Sequence, residues 1–242
     1  MRSERPKPLH RLCGRPMLSY VLESLEELPL ETAVIVVGHK GEWVTRTMQE
    51  SLYKRSPEFV EQRVQRGTGD ATMVGLVGLA DDDDDEGDVL VLPGDTPLLR
   101  SETMKSLVEH HRRTGAAATV LTAVVEDPTG YGRVVRVPDG QVERIVEHRD
   151  ATGEERVIDE VNTSIYCFRR SLLAPALRRI EPDNSQGEYY LTDVVGVLVG
   201  AGHRVEALVA ADAAETSGVN DRLQLAQAEM ELRRRTNESL LA

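Results

Sequence analysis

The 242-residue sequence contains few cysteines, and this argues against two kinds of site. Only Cys13 and Cys167 are present, and both lie in sequence typical of an apolar element or its edge. A disulfide framework or a zinc cluster requires more cysteines at characteristic spacings. We therefore expect both thiols to be small residues of the core with no part in function.

Long apolar runs are also missing from the sequence. No segment approaches the roughly 20 apolar residues that span a bilayer. Basic residues near Met1 are not followed by the apolar segment of a signal peptide. The sequence therefore predicts no membrane span and no secretion, and we expect the protein in the cytoplasm.

Positive charge is scarce, with 29 lysines and arginines against 41 acidic residues and a formal net charge of -12. A protein that binds duplex nucleic acid usually presents a basic face to the phosphates, so we expect no nucleic-acid partner. A small anionic ligand is still compatible with this charge, because local lysines, backbone N–H groups and a metal ion can reverse the potential inside one cleft. Much of the acidic excess lies in residues 81–86, which we interpret as a solvated loop between a helix and a strand.

The sequence does contain an alternation of strand-like and helix-like segments, which is typical of a mostly parallel sheet with helices on its faces. Apolar periodicity predicts helices over residues 17–28, 43–52, 70–79, 101–114, 172–180 and 189–199 and from about residue 221. Strands are predicted over residues 33–38, 59–64, 118–125, 134–137, 142–146, 163–168 and 205–209, and from residue 89 towards Asp95. The pair 134–137 and 142–146 forms a hairpin around Asp139-Gly140. Since no repeat or linker is visible, we expect one α/β domain over residues 1–242.

The segment Gly94-Asp95-Thr96-Pro97 follows a buried apolar strand. In open α/β sheets, ligands bind beyond the carboxyl ends of the strands, where Asp95 would be free to hold a divalent cation beside a phosphorylated substrate. The same residue types also favour an ordinary turn. Taken alone, the segment favours neither interpretation.

Four further segments carry polar or glycine-rich patterns that suit ligand binding. The two glycines of Gly67-Thr68-Gly69 lie at a predicted strand-to-helix junction, where backbone N–H groups favour an anion or a base edge. The amide of Gln62 both donates and accepts, which suits an imide edge such as that of uracil. Residues 127–133 form a glycine-rich turn. Asn220 precedes a helical pattern, and alone it is best interpreted as an N-cap.

Taken together and in order, eight segments resemble the pyrophosphorylase domain of the bacterial bifunctional N-acetylglucosamine-1-phosphate uridylyltransferase/glucosamine-1-phosphate acetyltransferase. The segments are Pro6 to His10, Gln62 with Gln65 to Gly69, Gly94 to Leu98, Asp127 to Arg133, Ile145 to Ala151, Asn162-Thr163, Gln186 to Asp193 and Gly218 to Gln224. Each is weak alone, but eight in sequence are specific. The resemblance implies a Rossmann-like mixed sheet of the nucleotide-diphosphate-sugar transferase type. It also implies a small sugar-binding β lobe, formed mostly by residues 126–187.

The reaction implied by the resemblance joins UTP and N-acetylglucosamine 1-phosphate to give UDP-N-acetylglucosamine and pyrophosphate. A sugar phosphate has a second pKa of about 6, so its attacking oxygen is already ionised at neutral pH and needs no general base. The difficulty lies in bringing two polyanions together and stabilising the charge on the α-phosphate. That task requires positioning, a cation and a metal.

The resemblance also implies a role for individual residues. Lys7 and Asp95 would be catalytic, and Asp95 and Asn220 would hold Mg²⁺. The nucleotide would be bound by Gln62, Gly67, Thr68, Gly94 and Asp95. The sugar would be held by Gly132, Glu147 and Asn162, with Glu188, Tyr190 and Thr192 lining the acceptor side. Read singly, Lys7 is an ordinary solvated lysine, Glu147 a solvent-facing charge and Asn162 a strand-edge residue.

Two parts of the family's pattern are not in the sequence. The family opens with a strand and a loop of pattern Leu-x-x-Ala-Gly-x-Gly-Thr-Arg-Met-x-Ser that wraps the triphosphate, and only Met1 and Ser3 match its end. Because that strand lies in the middle of the sheet, its absence would leave backbone groups unpaired, and we expect the true start to lie upstream. No hexapeptide repeats of the trimerising acetyltransferase half are present, so we predict no particular oligomeric state.

Two other hypotheses about function are compatible with the sequence. The substrate could be another sugar 1-phosphate or TTP, since related ligands differ by only a few contacts. The chain could also bind a nucleotide sugar without turnover, because the glycine loop is lost. A nicotinamide-dependent oxidoreductase is disfavoured, since no Gly-x-Gly-x-x-Gly follows a first strand.

Overall fold

The computed structural model describes residues 1, 3–50, 56–79 and 87–241. Its first part contains β1 (Arg11–Leu12), β2 (Arg15–Pro16), α1 (Met17–Glu23), β3 (Val34–Val37), α2 (Gly41–Gln49), β4 (Glu58–Glu61) and α3 (Thr68–Val77). Its second part contains β5 (Asp88–Val91), α4 (Ser101–Thr114), β6 (Ala118–Val124), β7 (Arg133–Arg136), β8 (Val142–Val146), β9 (Glu160–Arg169), α5 (Arg170–Leu177), α6 (Asp193–Gly200), β10 (Val205–Val209) and α7 (Arg222–Leu241). Short 3₁₀ turns occur at Lys7–Leu9, Glu155–Val157 and Ala213–Thr216.

The main sheet has six strands, in the order β10-β6-β9-β7-β8, and β5 also pairs with β9. Strand β10 is parallel to β6, whereas β9 is antiparallel to β5, β6 and β7. The α/β mixed sheet of the resemblance is therefore confirmed. The expectation of a mostly parallel sheet is wrong at β9, because one long antiparallel strand borders three others.

Both faces of the main sheet are covered by helices, because successive residues of its strands alternate between two apolar clusters. Val120 and Phe168 belong to a cluster that includes Leu173 of α5 and Val194 of α6. Their neighbours Leu121 and Cys167 belong to a second cluster, which includes Met104 and Leu107 of α4. Burying a side chain of this size stabilises the fold by about 1.5–3 kcal/mol.

A second, smaller sheet consists of β3 and β4 in parallel. Within the described residues, β3 pairs only with β4 and β5 pairs only with β9. Residues 35–37 of β3 and residues 93–95 after β5 line one cavity of about 710 Å³. In the described residues, the two strands therefore face each other across this cavity without pairing.

Several predicted boundaries differ from the structure. The helix predicted over residues 17–28 ends at Glu23, although Leu25 and Leu28 are still buried. The helix predicted from residue 189 begins at Asp193, because the backbone of Tyr189 bonds instead to Arg66 and Gly69. The strand predicted to reach residue 64 ends at Glu61. The hairpin β1–β2 was not predicted, since two-residue strands are too short for a periodicity.

The two cysteines were both expected in the core, and the structure confirms this for only one of them. Cys167 is buried in the core as expected, whereas Cys13 is exposed, so its assignment to the core is wrong. Cys13 lies in the tight turn between β1 and β2 with a positive φ of 47°.

The acidic residues 81–86 and the predicted helix end at residue 52 lie outside the described residues. None of the helices in the described parts of the chain has the length and apolar character needed to cross a bilayer.

Candidate active site

Three polar side chains from distant parts of the chain meet at one point. Lys7 begins a 3₁₀ turn, Asp95 follows strand β5, and Asn220 precedes helix α7. The Lys7 Nζ forms an ion pair with Asp95 Oδ2 and donates a hydrogen bond to Asn220 Oδ1 at 2.6 Å. The backbone carbonyl of Asp95 also accepts from the N–H of Val219 at 2.9 Å, so the segment before α7 is fixed beside Asp95.

The interpretation of Asn220 as a helix cap is wrong. Helix α7 is capped by Asp221, whose Oδ1 accepts from the N–H of Gln224 at 2.8 Å. The Gln224 side chain in turn accepts from the backbone N–H of Asn220 at 2.6 Å. The cap is therefore complete without the Asn220 amide, and that amide interacts with Lys7 instead.

Asp95 lies on the shared wall of two cavities. The larger one, of about 710 Å³, is also lined by Gly94 and by three basic and one acidic side chains, Arg5, Lys7, Lys40 and Glu4. The smaller one, of about 210 Å³, is lined by residues that include Tyr131, Asn162, Ser164, Thr216 and Asn220. Local basic groups therefore face the larger cavity although the whole chain is acidic, and this arrangement suits a polyanionic ligand.

A second cluster forms beside the smaller cavity and contains four of the residues predicted to face the sugar. A Cβ atom at Gly132 would lie 3.5 Å from Asn162 Cβ and 3.6 Å from Glu147 Cδ. The N–H of Asn162 donates to the carbonyl of Gly132 at 2.9 Å. Thr192 Oγ1 donates to Glu147 Oε1 at 3.1 Å. The structure therefore brings these four positions together.

Glu147 and Asn162 are both held by hydrogen bonds within this cluster. Burial raises the pKa of the Glu147 carboxyl, against the effect of the Thr192 hydrogen bond. Asn162 is 4% exposed; its Oδ1 accepts from the Ser164 N–H at 3.0 Å and its Nδ2 donates to the Tyr166 hydroxyl at 2.8 Å. The readings of Glu147 as solvent-facing and of Asn162 as a strand-edge residue are therefore wrong.

Gln62, Gly67 and Thr68 lie close together, but none of them lines either cavity. The Gln62 Nε2 donates to the Gly67 carbonyl at 3.2 Å and to Asp70 Oδ2 at 2.8 Å. Thr68 Oγ1 accepts from the N–H of Leu191 at 3.0 Å. In this structure the three residues hold the loop that begins α3, and in the described parts of the chain no hydrogen bond joins them to Lys7 or Asp95.

Glu188 and Tyr190 are not brought into the cluster around Glu147. Glu188 lies against Gly67, where its Cβ would be 3.0 Å from a Cβ added to the glycine. The Tyr190 hydroxyl accepts from the Gln186 side chain at 3.1 Å. Of the three residues expected on the acceptor side, only Thr192 contacts Glu147 in the described residues.

Sequence reasoning missed other residues that line the smaller cavity: Tyr131, Ser164, Thr216 and Gly218. Ser164 has a positive φ of 62°, close to the point where the register of β6 with β9 shifts. No local pattern predicts this bulge, because a polar residue at the start of an apolar segment is compatible with a regular strand.

A divalent cation is compatible with the side chains around Lys7. Among the described residues there is no group of three or more His, Cys, Asp or Glu that could hold a metal ion by itself. Mg²⁺, however, usually takes one or two protein oxygens and completes its shell with water and substrate phosphates. The oxygens of Asp95 and Asn220 already converge on one cationic atom, Lys7 Nζ, so the donor set fits a metal bound together with a phosphate.

Comparisons with known proteins identify the family of the chain. The family model described as "Nucleotidyl transferase" matches residues 2–215. Similar curated proteins include the "Bifunctional protein GlmU" of Bacillus cytotoxicus, 47% identical over 98% of this chain and 50% of the relative. The protein of the same name from Thermobifida fusca is 46% identical over 100% of this chain and 50% of the relative. The corresponding protein of Shouchella clausii is 45% identical over 98% of this chain and 51% of the relative.

A solved structure agrees with the fold. "Crystal structure of HddC from Yersinia pseudotuberculosis complexed with GMP-PN" aligns with a TM-score of 0.67 at 15% identity, covering 96% of this chain and 92% of that one. The present chain spans about half the length of the curated relatives it matches. With a family model that matches most of its residues, the chain belongs to the nucleotidyl transferase family.

Proposed function

We propose that the chain transfers a uridylyl group from UTP to N-acetylglucosamine 1-phosphate, which gives UDP-N-acetylglucosamine, a cell-wall precursor for peptidoglycan and lipopolysaccharide, and pyrophosphate. The observation that carries the proposal is the meeting of Lys7, Asp95 and Asn220 between two cavities. A transferase that joins two phosphorylated ligands requires one subsite for each and a charged group at their boundary. The relatives of 45–47% identity are each named "Bifunctional protein GlmU", which agrees with the bifunctional family that the sequence resembles.

Lys7 supplies positive charge where the two phosphates approach each other. The attacking oxygen of the sugar phosphate is ionised at neutral pH, so the residues at this point need not remove a proton. Their work is to bring the oxygen close to the α-phosphorus and to stabilise charge as pyrophosphate leaves. Asp95 and Asn220 would hold Mg²⁺, which would offset the charge of the triphosphate.

On the nucleotide side, we assign base recognition to Gln62 and the loop at Gly67 and Thr68. Both protons of the Gln62 amide nitrogen are donated to that loop, which leaves the amide oxygen to accept a hydrogen bond from the ligand. The imide N–H of uracil is such a donor, whereas the corresponding ring nitrogen of cytosine is an acceptor. This arrangement favours UTP over CTP, and it does not separate UTP from TTP.

On the sugar side, we assign Gly132, Glu147 and Asn162 to the N-acetylglucosamine ring, with Thr192 behind them. A Cβ atom at Gly132 would touch Asn162 and Glu147 at ordinary contact distances and would lie 3.1 Å from Ile145 Cγ2, so a side chain there would occupy the space between these residues. The Glu147 carboxylate is oriented by Thr192 and can accept from sugar hydroxyls. Glu188 and Tyr190 would act on this side only indirectly, because they contact the 66–70 loop and Gln186 instead.

The test is release of pyrophosphate from UTP by the purified chain, with Mg²⁺ and N-acetylglucosamine 1-phosphate. Asp95→Asn keeps the shape of the side chain but removes the charge, and we expect turnover to fall by about two orders of magnitude or more. Asp139→Asn is the matched control, since Asp139 is an exposed carboxylate in the β7–β8 turn and its loss should leave the rate unchanged.

The same assay distinguishes the proposed reaction from a different substrate and from binding without turnover. Turnover of another sugar 1-phosphate, or of TTP, in preference to these substrates would replace the named substrates and keep the transferase. Binding of UDP-N-acetylglucosamine in a calorimeter without any pyrophosphate release would overturn the transferase proposal in favour of a binding module. Equal rates for Asp95→Asn and wild type would remove Asp95 from the reaction.

A further inference from the structure

We propose that Arg133 is a positioning residue for the sugar subsite, and that its guanidinium ties together the segments that carry Gly132 and Glu147 and the 3₁₀ turn that precedes the strand of Asn162. The inference rests on the proposed function, since it gives a cause for the geometry of the subsite that the proposal uses. Arg133 is the first residue of β7 and is only 1% exposed, so it does not itself contact a ligand in either cavity.

Three hydrogen bonds extend from this one guanidinium into three segments. Arg133 Nη1 donates to the backbone carbonyl of Tyr131, in the glycine-rich turn. Arg133 Nη2 lies 3.3 Å from His148 Nδ1 and donates to the carbonyl of Arg156 at 3.4 Å. The segments are therefore the turn before β7, the residues after β8 and the 3₁₀ turn before β9.

Two of these three contacts lie next to a residue assigned to the sugar. Tyr131 precedes Gly132, and His148 follows Glu147. Asn162 is linked to the same turn by its N–H, which donates to the Gly132 carbonyl at 2.9 Å. A movement of the Tyr131 carbonyl or of His148 would therefore shift the atoms that face the sugar.

The energetics of Arg133 favour a geometric role over simple packing. Among the described residues it makes no ion pair with a carboxylate, and its Nε has no hydrogen-bond partner. Burial lowers the pKa of the Arg133 guanidinium, and the more distant Asp127 carboxylate opposes this effect. Burying a charge that forms no direct ion pair is costly, and an apolar side chain of similar volume would fill the space without that cost. What an apolar side chain cannot supply is a rigid fork of donors that reaches carbonyls in different directions, which is the property of arginine.

The test compares Arg133→Lys with Arg136→Lys in steady-state pyrophosphate release. Lysine keeps the charge but has a single ammonium, which cannot reach all three acceptors. We expect Arg133→Lys to raise KM for N-acetylglucosamine 1-phosphate about tenfold or more, while KM for UTP changes much less. Arg136 lies on the same strand and pairs with Glu160 on a more exposed face, so its lysine variant should change neither KM.

A second measurement does not depend on turnover. Amide hydrogen exchange in Arg133→Lys should accelerate at residues 131–132 and 147–148 and stay as in the wild type in β6. If the lysine variant does not fold, His148→Ala removes one of the three acceptors and should give the same pattern with a smaller amplitude.

The outcomes separate this inference from the proposed function. If the wild type releases no pyrophosphate with any sugar phosphate, the proposed function fails and hydrogen exchange alone decides the role of Arg133. If the wild type is active and Arg133→Lys leaves both KM values unchanged, or raises them equally, the positioning role is overturned. The same conclusion follows if exchange at residues 131–132 and 147–148 is unaffected.

Discussion

Ser164 is a residue whose backbone conformation conflicts with its side chain. Its φ of 62° lies in the left-handed region, in the middle of β9 and beside the smaller cavity. A residue with a Cβ atom loses roughly 1–2 kcal/mol there, whereas glycine adopts the region freely. The surrounding pairing of β9 with β6 on both sides of the register shift holds this strained conformation in place.

We expect Ser164→Gly to raise the free energy of unfolding by about 0.5–1 kcal/mol, because relief of strain exceeds the larger entropy of glycine in the unfolded chain. Urea denaturation followed by circular dichroism measures the change. Ser164→Ala keeps the Cβ atom and is the matched control, with an expected change of less than about 0.5 kcal/mol. A glycine variant less stable than the wild type would show that the serine is not strained.

The raised pKa of Glu147 predicts that the stability of the fold decreases as pH rises. Burial raises its pKa above the ordinary value of 4.5, and the hydrogen bond from Thr192 opposes this only in part. The folded state therefore holds the proton more tightly than the unfolded chain does. By linkage, the free energy of unfolding declines as pH rises from about 4.5 through the raised pKa, and no further loss from this group occurs above it.

Glu147→Gln removes the ionisable group and keeps an oxygen that can accept from Thr192. As pH rises from 4 to 8, the wild type should lose the stability linked to the Glu147 proton, whereas the variant should not. The variant should therefore become more stable relative to the wild type over this range. Chemical denaturation at several pH values measures both free energies of unfolding. Glu143→Gln, on strand β8, is the control for the loss of one exposed carboxylate and should preserve the wild-type decline. Parallel stability profiles for Glu147→Gln and wild type would contradict the assignment.

At the scale of elements, the start of α3 is docked by its glycines against the segment before α6. Gly67 has φ 109° and ψ 176°, a region that is essentially restricted to glycine. A Cβ atom there would lie 2.5 Å from the carbonyl oxygen of Tyr189. Two backbone hydrogen bonds, from Tyr189 to Arg66 and from Gly69 to Tyr189, join the same segments at 2.8 Å each.

Gly67→Ala should therefore destabilise the fold by about 3 kcal/mol or more, as the sum of an unfavourable backbone conformation and a steric clash. Gly202→Ala is the matched control, because Gly202 also has a positive φ, of 81°, but a Cβ atom there meets nothing within 4 Å. Its cost should be about 1 kcal/mol. Thermal and urea unfolding of both variants measure the two values, and equal losses would show that no clash occurs at Gly67.

The elements that the sequence predicts well are those fixed by local periodicity. Helix α4 has the predicted bounds 101–114, because Met104 and Leu107 form one apolar face and Gly115 ends the helix in a left-handed conformation. The hairpin β7–β8 also occurs where Asp139-Gly140 predicts it, with Gly140 at a φ of 88°. In both cases a few neighbouring residues determine the backbone.

Long-range pairing could not be predicted in the same way. The antiparallel position of β9 depends on partners in β5 and β6, and no local pattern encodes strand direction. The contact between Lys7 and Asn220 joins residues 213 positions apart and was not predicted; the resemblance of the whole chain implied only that Asn220 lies near Asp95. Arg133 was part of a predicted glycine-rich turn, but its burial depends on three segments that the sequence does not place together.

At the scale of the whole molecule, the main sheet and the β3–β4 sheet differ in the burial and pairing of their strands. Residues 118–123 of β6 are all buried, and β6 pairs with β10 on one edge and β9 on the other. Strand β3 has four residues and, within the described residues, pairs only with β4. Its apolar cluster contains Val37, Val44 and Met48 and is separate from the clusters around the main sheet.

This difference predicts two levels of protection in native-state hydrogen exchange. Amides in β6 and β9 should exchange only through global unfolding, whereas amides in β3 and β4 should exchange through a partial opening of lower free energy. Met48→Ala, which removes a buried side chain from the smaller cluster, should accelerate exchange in β3 and β4 with little effect on β6. Leu173→Ala, which makes a cavity in the main cluster, should accelerate all four strands, at a cost of about 2–5 kcal/mol.

Equal protection of both sheets in the wild type, or equal effects of the two substitutions, would show one cooperative unit. The distinction bears on the site, because β3 forms one wall of the larger cavity and the segment after β5, with Asp95, forms the other. If β3 and β4 open independently, the width of that cavity varies while Asp95 stays fixed to the main sheet. A nucleotide that contacts both walls would then close the cavity as it binds, and its binding should raise the protection of β3 and β4 more than that of β6.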